Sequence, residues 1–177
     1  MQNYFEFYQL PISFIINKRQ LKRQFYKISK QYHPDFFAQA TDAEQQHALE
    51  MSTLNNKAYR TLNDDEAIIK YVLQLKEVLV EGEKYTLPPT FLMQMMDINE
   101  QLMELQFDHD PQKVQQLNQE ITAIEQTLKI AIEPILQNYN DQLDQTENLK
   151  KVKEFYYKNR YLLRIKENLS KFANRFG

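Results

Sequence analysis

Two groups of residues in this 177-residue chain have types and spacing suited to chemistry. The first is a run of cations. Lys18, Arg19, Lys22, Arg23, Lys27 and Lys30 follow one another with no acid among them, and His33-Pro34-Asp35 comes directly after. A helix stabilised by i,i+4 pairs interleaves acids with bases, so this segment keeps its positive field unneutralised. A solvated face accounts for such a run, and so does docking to an acidic surface. Pro34 fixes its own φ, which presents His33 and Asp35 on a rigid loop, where function concentrates. The second group lies after Thr90, where Met93 and Met96 are interleaved with Asp97, Glu100 and Glu104. At 100° per residue, Phe91, Met95, Ile98, Leu102 and Leu105 form a seam within about 40° of one direction. Leu92, Met103, Met96 and Met93 fall about 100–200° from it. A bundle helix touching two neighbours needs a broad apolar stripe, which accounts for Leu92 and Met103. Met93, nearly opposite the seam, and Met96 are not readily buried by the same bundle. Methionines exposed among acids form an adaptable partner-binding surface.

Bond-making chemistry has little to draw on. The chain contains no Cys, which removes thiol nucleophiles, thiolate metal sites and disulfides. Its three histidines are His33, His47 and His109. The first two lie on different elements, and no carboxylate sits at a ligand-like i+3 or i+4 spacing from two of the three. Capping and solvent explain His109 within Asp108-His109-Asp110. No catalytic residue, metal or cofactor is expected. Only 2 Gly are present, too few for a phosphate-cradling loop. A net charge of −2 argues against coating nucleic acid by bulk charge. The basic stretch from Lys150 to Arg175 follows a mostly acidic one, 91–145, and reads as charge matching between helices. Its aromatics, such as Phe155, Tyr156 and Tyr161, read as core rather than as an RNA-stacking platform. No run of about 18 apolar residues could span a membrane. The start of the chain lacks a basic n-region before an apolar stretch, and a cytoplasmic location is expected.

Helices must position these groups, and their starts are marked. Asn17 is an N-cap with Gln20 at N3, opening a helix whose inner face is Leu21, Phe25, Ile28 and Tyr32. Pro34 stops it. Thr41 with Glu44 forms a capping box for a helix carrying Ala48, Met51, Asn55, Ala58 and Leu62 inward. Asn63-Asp64-Asp65-Glu66 reads as a third box, for a helix to about Leu75. Gly82 and Pro88-Pro89 break the pattern over 78–90, taken as a linker. After the Phe91 seam, Asp110-Pro111 opens a helix with Val114, Leu117, Ile121, Ile124, Leu128 and Ile132, expected to kink at Pro134. A last helix from about Thr146 puts Phe155, Leu162, Ile165, Leu169, Phe172 and Phe176 in register. The fold class is all-α, with an antiparallel three-helix bundle over 91–177.

Tyr4-Phe5 through Leu10-Pro11, the basic helix ending Gln31-Tyr32-His33-Pro34-Asp35, and the run from Leu54 to Leu62 together resemble a J-domain, over 1–77. With Phe91-Leu92-Met93 in the second half, the whole chain resembles the HscB-type co-chaperones of iron–sulfur cluster assembly. The resemblance implies a J-domain helical hairpin followed by a three-helix bundle that binds a client. It implies two partners. Lys22, Arg23, Lys27, Lys30, His33, Pro34 and Asp35 would dock on a seventy-kilodalton heat-shock chaperone of the HscA or DnaK class and stimulate its ATP hydrolysis. Leu92, Met93, Met96, Asp97, Glu100 and Glu104 would bind the iron–sulfur scaffold protein, with Phe155 or Tyr156 as a last-helix contact. Two positions depart from the family pattern: Phe36 stands where a basic residue is usual, and Asp64 to Ile69 replaces a Pro-x-x-Arg-Ala-like stretch. The readings from other classes are a helical nucleic-acid-binding protein and an oligomeric assembly protein.

Overall fold

A computed structural model describes residues 3–105, 107 and 110–176, the last five by backbone alone. Asp108 and His109, and the side chains of Phe172, Arg175 and Phe176, lie outside the described residues. The described residues form seven α-helices and one 3-10 turn. The chain divides into two compact units, 1–77 with 136–145, and 78–135 with 146–177. The segment 78–90, read as a linker, therefore groups with the second unit, while the turn 136–145 groups with the first.

In the first unit, α1 (Tyr4–Phe7) is a single turn closed by a capping box between Asn3 and Glu6. α2 (Lys18–Gln31) starts where Asn17 accepts from the Arg19 and Gln20 N–H groups. α3 (Asp42–Asn63) opens on the Thr41–Glu44 box. α4 (Asp65–Leu75) is capped by Asp64 rather than Asn63, because Asn63 still belongs to α3 while the Asp64 side chain takes the Glu66 and Ala67 N–H groups. α2 and α3 run antiparallel. The Lys18 ammonium reaches the Asn63 carbonyl (2.8 Å) and Asp65 (2.8 Å), whereas at the other end Tyr32 packs edge-on against His47. Between them, Asn55 donates to the Phe25 carbonyl (3.1 Å) and Ser29 hydroxyl (2.9 Å) and accepts from the Tyr8 hydroxyl (2.7 Å). Burial raises the Tyr8 phenol pKa well above its usual value. Leu21, Ala58, Leu62, Ile68, Val72 and Leu73 complete this core. The turn 136–145 joins it through Tyr139 against Phe14 and an ion pair between Lys76 and Asp141.

The second unit contains α5 (Pro89–Glu104), α6 (Pro111–Gln137) and α7 (Thr146–Phe176). The expected seam is the observed one: Phe91, Met95, Ile98, Leu102 and Leu105 bury against Leu117, Ile121, Ile124, Leu162, Ile165 and Leu169. Val114 and Leu169 line one groove and Ile132 and Phe155 another, so α6 and α7 run antiparallel. α6 continues through Pro134 to Gln137. Part of the charge matching foreseen between bundle helices is present, as Lys166 reaches Glu125 at 2.5 Å. The segment 78–86 is strapped onto α7. Lys153 donates to the Val78 carbonyl (2.7 Å) and to Glu83 (2.8 Å), Tyr157 donates to Glu83 (2.9 Å), and the Tyr85 and Tyr157 rings stack at 4.4 Å. Gly82 makes the bend at φ +78°, a conformation that a β-carbon disfavours even though open space surrounds the site.

Candidate functional site

The loop after α2 is built to hold one carboxylate outward. Pro34 to Phe37 form a 3-10 turn whose N-cap is His33, and the His33 Nδ1 accepts from the Asp35 N–H at 3.3 Å. The Phe36 N–H donates to the His33 carbonyl at 3.0 Å. Phe37 stacks on Tyr32, which in turn packs on His47 of α3, so the loop is pinned to both long helices. The Asp35 carboxylate touches the loop only at His33, its Oδ2 lying 3.5 Å from the His33 Nδ1, and its side chain is 84% exposed.

Lys22, Arg23, Lys27 and Lys30 are exposed on α2, opposite the buried Leu21. Lys22 sits 5.9 Å from the ring of Tyr26, itself 58% exposed. Lys18 is not part of this free face, since it closes the end of α3. The first turn of α2 contains no acid, yet Lys18 and Arg19 stand at the positive end of the helix dipole. A placement that opposes local stability points to a use elsewhere.

On α5, Met93 is 67% and Met96 62% exposed, with Asp97, Glu100 and Glu104 exposed around them. The bundle does not absorb Leu92 and Met103 as the sequence suggested; they are 36% and 61% exposed. The core of α5 needs only the five-residue seam, so the side facing away from it stays open. At 100° per residue these seven side chains span an arc of about 140°. α5 has no Lys or Arg, and none of the three carboxylates forms an ion pair with a described residue.

Phe155 differs from the α5 strip in exposure. It is 8% exposed, as is Tyr156. Its groove is walled by Leu128, Ala131, Ile132 and Ile135 of α6, with no α5 residue. Its burial agrees with its register position in the helix.

Comparison with known proteins adds the lineage. Residues 87–170 match the family model described as the HSCB C-terminal oligomerisation domain. A "Co-chaperone protein HscB homolog" of Photobacterium profundum is 30% identical over 161 residues, covering 90% of this chain and 93% of that protein. The chain belongs to the HscB co-chaperone family. Another HscB homolog, from Psychromonas ingrahamii, is 32% identical over 149 residues, 81% of this chain and 84% of its own. The solved chaperone HscB from Vibrio cholerae superposes with a TM-score of 0.73 at 26% identity, covering 99% of this chain and 100% of that one. The human co-chaperone protein HscB shares the fold, with a TM-score of 0.77 at 24% identity over 96% of this chain and 81% of its own.

For this HscB family member, the described residues include no cluster of three or more potential metal ligands and no helix long and apolar enough to cross a membrane. The sequence reading missed Met103 as a surface residue, and Leu49 at 59% exposure beside the loop. Their angular positions on α5 and α3 were the available signal.

Proposed function

We propose that the chain is a non-enzymatic co-chaperone of iron–sulfur cluster assembly in the cytoplasm, linking a cluster scaffold protein to a seventy-kilodalton chaperone ATPase of the HscA or DnaK class. The observation that carries this reading is Asp35, held 84% exposed on a fixed turn at the end of an unopposed basic helix. A carboxylate so presented can take a charge-assisted bond from a basic group of the ATPase. Lys22, Arg23, Lys27 and Lys30 contribute steering and register. The strip of Leu92, Met93, Met96, Asp97, Glu100, Met103 and Glu104 supplies an adaptable apolar surface with an acidic border, suited to a scaffold with a basic, apolar face. Two docking surfaces in one chain raise the local concentration of scaffold at the chaperone. The deciding experiment is ATPase stimulation by Asp35→Asn. Stimulation should vanish while the circular dichroism spectrum and scaffold binding persist, and full stimulation by the variant would end the docking reading.

The name of the matched family model favours a second use of the bundle, self-association. Met93→Ala with Met96→Ala would then lower the sedimentation mass of the protein alone. The delivery reading instead expects an unchanged mass and scaffold binding weakened by about tenfold or more.

A further inference from the structure

We propose that Phe36 is a specificity-determining contact of the docking loop, received by an apolar wall that borders the basic group meeting Asp35 on the chaperone ATPase; the inference rests on the docking reading above. The 3-10 turn divides the labour of its two aromatics. Phe37 turns inward, stacks on Tyr32 and lines a groove with Pro34, Ala48 and Leu49. Phe36 turns outward, touching His33 only edge-on at 6.0 Å, and remains 68% exposed. Fold stability does not call for a large ring there.

Asp35 and Phe36 are neighbours in the chain, so their Cα atoms are about 3.8 Å apart. Both also flank one imidazole, the Asp35 carboxylate 3.5 Å from the His33 Nδ1 and the Phe36 ring 6.0 Å from the His33 ring, so a partner that covers His33 and the carboxylate comes within reach of the Phe36 ring. The other flank of Pro34 offers further apolar surface, because the groove of about 420 Å³ between the turn and α3 is lined by Phe37, Ala48 and the exposed Leu49, beside the polar Asp42, Gln45 and Gln46. A partner that answers only the charge would leave this surface wet. One with apolar side chains around its basic group would bury the ring as an anchor, the kind of residue that carries interface energy. Ordering it costs little, because Pro34 and the turn's hydrogen bonds already hold the backbone. A basic residue at this place would select for a different rim, and that difference sets partner choice.

The test titrates wild type, Phe36→Lys, Phe36→Ala and Asp35→Asn against a purified HscA-class ATPase at low and at high salt. Both Phe36 variants should reach the wild-type maximal rate, with half-saturating concentrations raised by about tenfold or more. That ratio should hold as salt rises, since an apolar contact is not screened. Phe36→Lys half-saturating with wild type would overturn the inference, as would a deficit that disappears at high salt. Full stimulation by Asp35→Asn would instead overturn the docking reading on which it rests.

Discussion

Cutting back Asn55 to alanine should loosen the first unit more than any surface change in it. Asn55 is 1% exposed, and its side chain makes three hydrogen bonds, to Tyr8 (2.7 Å), Ser29 (2.9 Å) and the Phe25 carbonyl (3.1 Å). The Tyr8 hydroxyl keeps a second acceptor, the Asn55 backbone carbonyl at 2.9 Å, so it is not orphaned. The loss falls on Ser29 and on the contact between α2 and α3. At about 1 kcal/mol net per bond, Asn55→Ala should cost about 3 kcal/mol. Tyr8→Phe removes one of the three bonds and should cost about 1–2 kcal/mol. Because the two residues share a bond, the double variant should deviate from additivity by about 0.5 kcal/mol or more. Urea unfolding of the full chain measures all three variants, with amide exchange along α2 and α3 assigning the loss to the first unit. A cost for Asn55→Ala below about 1 kcal/mol, or strict additivity with Tyr8→Phe, would refute the argument that this buried knot sets the register of α2 on α3.

Two further outcomes follow from the second unit. Ile98, fully buried, and Met96, 62% exposed, sit two residues apart on α5. Ile98→Ala should cost about 2–5 kcal/mol in urea unfolding, whereas Met96→Ala should stay within about 0.5 kcal/mol. Acid should weaken the same unit. Hydrogen bonds from Lys153 to Glu83, and from Lys129 and Lys166 to Glu125, hold both carboxyls below their ordinary pKa of 4.5. Folding lowers these values, so the stabilisation is complete above about pH 4.5 and is lost as the pH falls through the folded-state values. Urea midpoints taken between pH 6 and 3 should therefore fall more steeply for wild type than for Glu83→Gln with Glu125→Gln, and parallel profiles would count against these pairs.

Local signals in the sequence were read correctly where they were complete in a few residues. The Thr41–Glu44 box, the Asn17 cap and the α5 seam each need only near neighbours, and all three stand in the structure. The Asn63 box was misplaced by one residue, because Asn and Asp cap with nearly equal preference and only the end of α3 chooses between them. Tyr4–Phe7 is too short to show a period. The outward side of α5 was legible for Met93 and Met96, yet Met103 was given to a core that had no need of it. For Phe155, periodicity alone places the side chain inside, where it is 8% exposed. The partnership of Glu83 with Lys153 and Tyr157 spans some seventy residues, beyond the reach of any local pattern.

The strap onto α7 governs how this molecule can be taken apart. A fragment started at Phe91 discards Leu79, Glu83 and Tyr85, strips Lys153 of its carboxylate and opens one flank of α7 to water. A fragment ended at Glu77 forfeits Tyr139 and Asp141, and with them the lid over Phe14 and the counter-charge of Lys76. Truncation at the obvious proline-rich break thus wounds both halves, and a bundle meant to survive excision has to begin no later than Val78.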